Sequence, residues 1–110
     1  MGISGSGSGR RGRRRNGWTS PAGLDLKFND HNHEPGMNFP SPDDFHAGAW
    51  NVVNNPNAIV GDDIDGGGKI GIFDPKTGKL VIKNEKTNQK INFFVPNRGI
   101  NYFNDNFNKR

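Results

Sequence analysis

Hydrophobic and polar residues alternate along the last third of the chain, between residues 69 and 103. Short runs of β-branched and aromatic residues with a two-residue period are typical of half-buried strands. Between the first two runs, the sequence DPKTG carries the aspartate, proline and glycine that favour a hairpin turn. We therefore predict an antiparallel meander with strands at residues 69–73, 79–83 and 90–95 and polar turns at residues 74–78 and 85–88.

The segment before this meander, residues 18–60, contains five prolines, so long helices and central strands are not expected there. One helix start is indicated, because Ser41 suits the N-cap and Pro42 the first helical position. A short helix over residues 42–54 would place its apolar residues in one stripe, namely Phe45, Ala49, Val52 and Val53. The predicted fold class is α+β: a small antiparallel sheet of three to four strands with one short helix, preceded by a disordered basic arm.

The composition limits the chain to one small domain. It has 110 residues, of which 30% are hydrophobic, so the core is modest. The absence of cysteine excludes disulfides and thiolate zinc sites. No apolar run approaches the roughly 18 residues of a transmembrane helix, and the N-terminus lacks the apolar stretch of a secretory signal.

The net charge of +4 is distributed in three blocks. Residues 1–16 hold five arginines and no acid, residues 17–65 carry a net charge of −7, and residues 66–110 carry +6. We predict a flexible arm rich in glycine, serine and arginine at residues 1–17 and a single domain at residues 18–110. The arm is either a solvated linker or a segment that binds phosphates through charge alone, and the sequence leaves both interpretations open.

Two polar clusters raise the question of a metal. Residues 61–68 hold Asp62, Asp63 and Asp65 in a glycine-rich loop, but the spacing lacks the closing glutamate of an EF-hand. His31 and His33 lie among carboxylates, yet no second pair of ligands accompanies them. We therefore predict neither a metal nor another cofactor.

The run LVIKNEKTNQKINFFVPNRGINYF at residues 80–103 resembles the C-terminal sheet of bacterial polymorphic and contact-dependent toxin domains. These belong to the colicin-type, barnase-like and RelE-like group of ribonucleases. The resemblance lies in a strand at residues 81–84, a polar turn at 85–89, a strand ending in an aromatic pair at 91–94, and then Pro96, Gly99 and Tyr102. It implies a helix-plus-sheet unit that cleaves RNA, often tRNA, without a metal, using the 2′-hydroxyl of the substrate as nucleophile. It also implies a cognate immunity protein.

Such cleavage needs a base, an acid and a cation near the phosphate. His46 on the predicted helix is the candidate acid or base, because histidine titrates near neutrality. Arg98, in the turn before Gly99, would bind phosphate, and Tyr102 would stack on a base or donate a proton. Each of the three also has a purely structural interpretation. The candidate RNA-binding residues are Lys69, Lys79, Lys83 and Lys90 in the sheet and Arg10, Arg11, Arg13, Arg14 and Arg15 in the arm.

The function predicted from these residues is that of an RNA-cleaving bacterial toxin domain, a metal-independent endoribonuclease directed at tRNA or rRNA. The expected partners are RNA and an acidic immunity protein, and the expected location is the cytoplasm of a target cell after secretion or delivery. The alternative is a non-enzymatic nucleic-acid-binding or virion-type protein that uses the arginine arm and the basic sheet. A third interpretation is a β-type interaction domain whose acidic middle faces a basic partner.

Overall fold

The structure is a computed structural model that describes residues 17–18 and 23–110. The helices are α1 (Gly23–His31), α2 (Pro42–Val53) and α3 (Ile100–Asn106). The strands are β1 (Ile59–Asp63), β2 (Lys69–Phe73), β3 (Leu80–Asn84), β4 (Lys90–Phe94) and β5 (Phe107–Lys109). The arm predicted at residues 1–17 lies outside the described residues except for Gly17.

The strands form one antiparallel sheet in the order β4-β3-β2-β1-β5. The predicted α+β class and the antiparallel meander are confirmed. The sheet is wider than predicted, because β1 and β5 extend it beyond β2. At the other edge, the first residue of β4 forms a parallel bridge with Trp18, and its backbone N–H donates to the carbonyl of Gly17 over 2.7 Å.

Strand β1 takes up the first three residues of the segment predicted as an acidic loop. Glycine and aspartate are depleted in strands, so local propensity favours a loop there. Pairing with β2 on one side and β5 on the other overrides that propensity. Within β1, Asp62 accepts hydrogen bonds from the guanidinium of Arg110 at 2.8 and 3.0 Å.

The two hairpin turns of the meander have the same design. In the first, Asp74 accepts from the backbone N–H of Lys76, and the fifth residue, Gly78, has a positive φ. In the second, Asn84 accepts from the backbone N–H of Lys86, and Asn88 takes the positive φ. Side-chain acceptors of this kind stabilise a turn locally, so the β3–β4 hairpin is fixed by its own sequence.

Helices cover both faces of the sheet. On one face, α1 and α2 enclose the larger core, which consists of Trp18, Leu24, Met37, Phe45, Ala49, Val52, Ile70, Ile72, Val81 and Phe93. On the other face, α3 covers a smaller core of Phe73, Leu80, Phe103 and Phe107. The sheet therefore separates α2 from α3, and this separation decides which candidate residues can act together.

Of the three helices in the described residues, α2 is the one predicted from the sequence. Ser41 caps it by accepting from the backbone N–H of Asp44 over 3.2 Å. In α1 only Gly23 and Leu24 are buried and Phe28 is partly buried, so the apolar stripe that would indicate a helix is short. In α3, a single buried residue, Phe103, holds a seven-residue helix against the sheet, which is too short for sequence periodicity to reveal.

Candidate nucleic-acid interface

A cleft lies between the C-terminal end of α2 and the β3–β4 hairpin. It has a volume of about 220 Å³ and is lined by Trp50, Val53, Asn54, Lys83, Asn88 and Lys90. Two of these residues are lysines and two are asparagines, so the cleft offers cationic and hydrogen-bonding groups beside an aromatic ring. Two of the four predicted RNA-binding lysines therefore meet at one place.

Lys90 is the innermost cation of the cleft. The residue is only 5% exposed, and its Nζ lies 5.8 Å from the ring centre of Trp18 and 5.4 Å from that of Trp50. Cations over indole faces are attracted by the ring quadrupole. Burial, and secondarily the charge of Lys83, lowers the pKa of Lys90 below the usual lysine value.

Lys83 stands directly opposite Lys90 in the β3–β4 ladder, next to an irregularity in the register. Its Nζ donates to the side-chain oxygen of Asn88 over 2.8 Å, which holds it at the cleft. Like charges on opposed strand positions destabilise a sheet. A bound anion between the two ammonium groups would offset that repulsion.

Trp50 provides the aromatic wall of the cleft. It is 55% exposed, and it is one of four large hydrophobic residues exposed in the described part of the chain. Proteins that bind single-stranded nucleic acids combine exposed aromatic rings with cations, because the bases stack on the rings while the phosphates contact the charges. Sequence reasoning missed Trp50, although its place outside the apolar stripe of α2 was a signal that it faces solvent.

The other predicted RNA-binding residues lie apart from this cleft. Lys69 is exposed at the start of β2, where alternation along the strand points it to the face opposite Lys83. Lys79 lines a different cleft of about 290 Å³ on the other side of α2, with Asn51, Asn55 and Thr77 among its neighbours. Arg10, Arg11, Arg13, Arg14 and Arg15 lie outside the described residues.

His46 on α2 is half-buried beside Trp18, whose indole N–H donates to His46 Nδ1 over 3.1 Å. Because an indole nitrogen only donates, Nδ1 must be the unprotonated nitrogen and the neutral ring carries its proton on Nε2. No nitrogen is then left to accept a proton from a substrate. General base catalysis by His46 would therefore require that Trp18 release the ring.

Arg98 and Tyr102 lie next to α3 and in α3, on the face of the sheet opposite α2. Arg98 forms an exposed ion pair with Asp105, with 2.6 Å between Nη2 and Oδ2. The half-buried ring of Tyr102 packs edge-on against Phe94, with 5.5 Å between the ring centres. Arg98 and Tyr102 thus both lie on the α3 side of the sheet, and the structure does not bring them together with His46.

The segment around the two upstream histidines contains a pair that sequence reasoning missed. His31 Nδ1 lies 2.8 Å from Oε2 of Glu34, and its ring stacks on Phe94 at 5.4 Å. The three-residue spacing of His31 and Glu34 was visible in the sequence, but only the fold places them beside Phe94. Nowhere in residues 17–18 and 23–110 do three or more histidine, aspartate or glutamate side chains gather in an arrangement that would hold a metal ion.

Comparison with known proteins leaves the resemblance as a prediction. No protein-family model matches the chain, and no curated protein matches it. Across the described residues, none of the helices has the length and apolar character needed to cross a membrane.

Proposed function

We propose that this domain binds single-stranded RNA in the cleft between α2 and the β3–β4 hairpin. The observation that supports the proposal is the opposed lysine pair, Lys83 and Lys90, beside the exposed indole of Trp50. A backbone phosphate between the two ammonium groups relieves their repulsion, and a neighbouring base stacks on Trp50. Stacking of this kind contributes about 1–3 kcal/mol per base and tolerates any sequence.

Fluorescence anisotropy with a labelled single-stranded RNA tests the proposal. Replacing Lys83 or Trp50 by alanine should weaken binding, whereas Lys86→Ala is the matched control, since Lys86 is an exposed lysine in the same hairpin turn. The dependence of affinity on salt should lose about 0.7 in log–log slope for each phosphate contact removed. Equal affinity in all of these variants would contradict the assignment to the cleft.

A full-length variant in which the five arginines of residues 10–15 are replaced by glutamine separates the arm from the cleft. If the arm supplies only additional charge, this variant should bind with a shallower salt slope but remain sensitive to Trp50→Ala. Loss of all binding in the variant would assign the interaction to the arm instead.

RNA cleavage is the second candidate function. It is favoured by the pair of His31 and Glu34 at the far end of β4, the same strand that begins with Lys90. In this proposal the domain is a metal-independent endoribonuclease of a delivered bacterial toxin, acting in the cytoplasm of a target cell. An acidic immunity protein would block it by covering the lysine pair.

Incubation of the protein with total tRNA and excess chelator tests cleavage. Fragments ending in a 2′,3′-cyclic phosphate should appear, because the internal hydroxyl needs no metal-bound water. RNA that stays intact at high protein concentration, while anisotropy still detects binding, would leave a non-enzymatic RNA-binding protein as the function.

A further inference from the structure

His31 is held in place on three sides. It is the last residue of α1, its Nδ1 lies 2.8 Å from Glu34 Oε2, and its ring stacks on Phe94 with an angle of 27° between the ring planes. A carboxylate at Nδ1 favours the tautomer that carries its proton there, so the Nε2 lone pair faces away from Glu34. This is the arrangement by which a carboxylate orients a histidine for proton transfer.

The loop after α1 fixes Glu34 against His31. The side chain of Asn32 bonds both backbone groups of Phe39, donating to its carbonyl over 2.8 Å and accepting from its N–H over 2.6 Å. Inside the loop closed by these bonds, the backbone N–H of Glu34 donates to the carbonyl of His31 over 3.0 Å. Geometry that is set before the substrate arrives costs no reorganisation during the reaction.

Glu34 carries an acceptor that the described residues leave without a hydrogen bond. Its Oε1 atom is buried, and no donor in that part of the protein reaches it. A buried carboxylate oxygen without a partner is unfavourable. The cost falls when the carboxylate faces a full positive charge, which His31 acquires when it takes up a proton.

One polar side chain of the other helical layer contacts the same ring of Phe94. Tyr102 packs edge-on against Phe94 with an angle of 87° between the rings. Asp105 follows Tyr102 by three residues within α3, so the two side chains are neighbours on the helix surface. Arg98, which precedes the helix, forms its ion pair with Asp105. A histidine with a carboxylate partner and a phenol therefore both contact the last residue of β4, and a guanidinium lies four residues before the phenol in the sequence.

We propose that His31 is the acid–base catalytic residue of this domain, that Glu34 is its positioning residue, and that Tyr102 and Arg98 complete the site. The inference rests on the proposed RNA cleavage. His31 Nε2 takes the proton of the 2′-hydroxyl, the 2′-oxygen bonds to phosphorus, and the bond from phosphorus to the 5′-oxygen breaks. Tyr102 gives its proton to the leaving 5′-oxygen and regains one from protonated His31 through solvent. Arg98 balances the charge on the phosphate, and no co-reactant is consumed.

The site and the binding cleft lie at opposite ends of β4. Strand β4 begins at Lys90 and ends at Phe94, so the two ends are roughly 13 Å apart at the rise of an extended strand. Lys90 faces Trp18 and Trp50 on the α2 side, whereas Phe94 packs on the smaller core of the opposite face, so an RNA strand that reaches both must also pass around the edge of β4. Stacked nucleotides rise about 3.4 Å each, so at least about four nucleotides connect the lysine pair to His31. Cleavage should therefore need an RNA of at least about that length.

The test measures cleavage of a single-stranded RNA of about 12 nucleotides in chelator, with binding measured in parallel. Replacing His31 by alanine should lower kcat by about 10²–10⁴-fold with little change in affinity, and added imidazole should restore part of the activity. His33→Ala is the matched control, because His33 is an exposed histidine two residues away. Glu34→Gln should lower kcat and leave KM unchanged, since Glu34 acts only through His31. The all-DNA strand should bind and stay intact.

The outcomes separate the inference from the function on which it rests. Wild-type rates in a folded His31→Ala or His31→Gln variant would overturn the inference and leave an endoribonuclease with another base. A wild-type protein that binds the RNA but never cuts it would overturn cleavage and the inference together, leaving RNA binding. If His31→Ala fails to fold, His31→Gln decides, because the amide keeps polar contacts but transfers no proton.

Discussion

Replacement of Lys90 by methionine should weaken RNA binding without weakening the fold. Methionine keeps the length of the buried stem and removes only the charged end. The fold loses two cation–π contacts, with Trp18 and Trp50, at about 0.5–1 kcal/mol each. Against this, the variant no longer buries a charge and no longer opposes Lys83, a repulsion of about 0.2–1 kcal/mol. These contributions have opposite signs, so the free energy of unfolding should stay within about 1 kcal/mol of wild type.

The loss of RNA affinity in Lys90→Met should be larger than its change in the free energy of unfolding. A lysine about 4 Å from a phosphate contributes about 1 kcal/mol if the site is as well screened as water and about 4 kcal/mol at the edge of a protein. Affinity should therefore fall at least about 5-fold, and the salt slope should fall by about 0.7. Anisotropy at several salt concentrations and urea unfolding measure both quantities, and Lys86→Met serves as the control.

Two results would refute the reasoning behind this prediction. If Lys90→Met loses several kcal/mol of stability and keeps its affinity for RNA, Lys90 stabilises the fold and does not bind RNA. It would do so through its contacts with the two tryptophans and through its charge near the C-terminal end of α2, whose last turn holds no basic residue. If Lys86→Met weakens binding as much as Lys90→Met does, the attraction comes from overall charge and not from the cleft.

Two further predictions concern pH and packing. Because burial lowers the pKa of Lys90, the folded protein loses the ammonium proton at a lower pH than the unfolded chain does. RNA affinity should therefore fall as pH rises toward 10. Over the same range the free energy of unfolding should rise, because the folded state no longer buries a charge. Lys90→Arg should retain affinity at that pH. Gly71→Ala should lower the free energy of unfolding, measured in urea, by about 1–3 kcal/mol. The new Cβ would lie 2.8 Å from ring carbons of Phe107, and this ring stacks on Phe103 and has little room to move. Unchanged stability would mean that the Phe107 ring shifts freely.

The hairpins were predictable because their signals are local. Alternation marks β2, β3 and β4, and each turn carries its own side-chain acceptor and a residue that takes a positive φ. The same holds for α2, whose Ser41 cap and apolar stripe lie within one short segment. The loop at residues 61–68 was also predicted from local composition, and it is wrong for residues 61–63, which pair with β2 and β5.

The candidate site was only half predictable. Lys83 and Lys90 were identified as cations, but their opposition depends on the register of β3 and β4, and the role of Trp50 depends on how α2 lies on the sheet. The sequence equally indicated His46 as the histidine to accompany Arg98. That pairing is not found in the fold because the two residues lie on opposite faces of the sheet.

The sequence by itself determined the class of this protein, its meander, the α2 helix and the basic character of its C-terminal part, because propensity, alternation and charge act over a few residues. Only the tertiary structure decided that β1 and β5 join the sheet, that two like charges meet beside an exposed indole, and that His31 pairs with Glu34 on Phe94. These are contacts between distant segments, and they depend on strand order and on which face each helix covers. The sequence shows which residues are capable of the chemistry, and the fold selects which of them lie together.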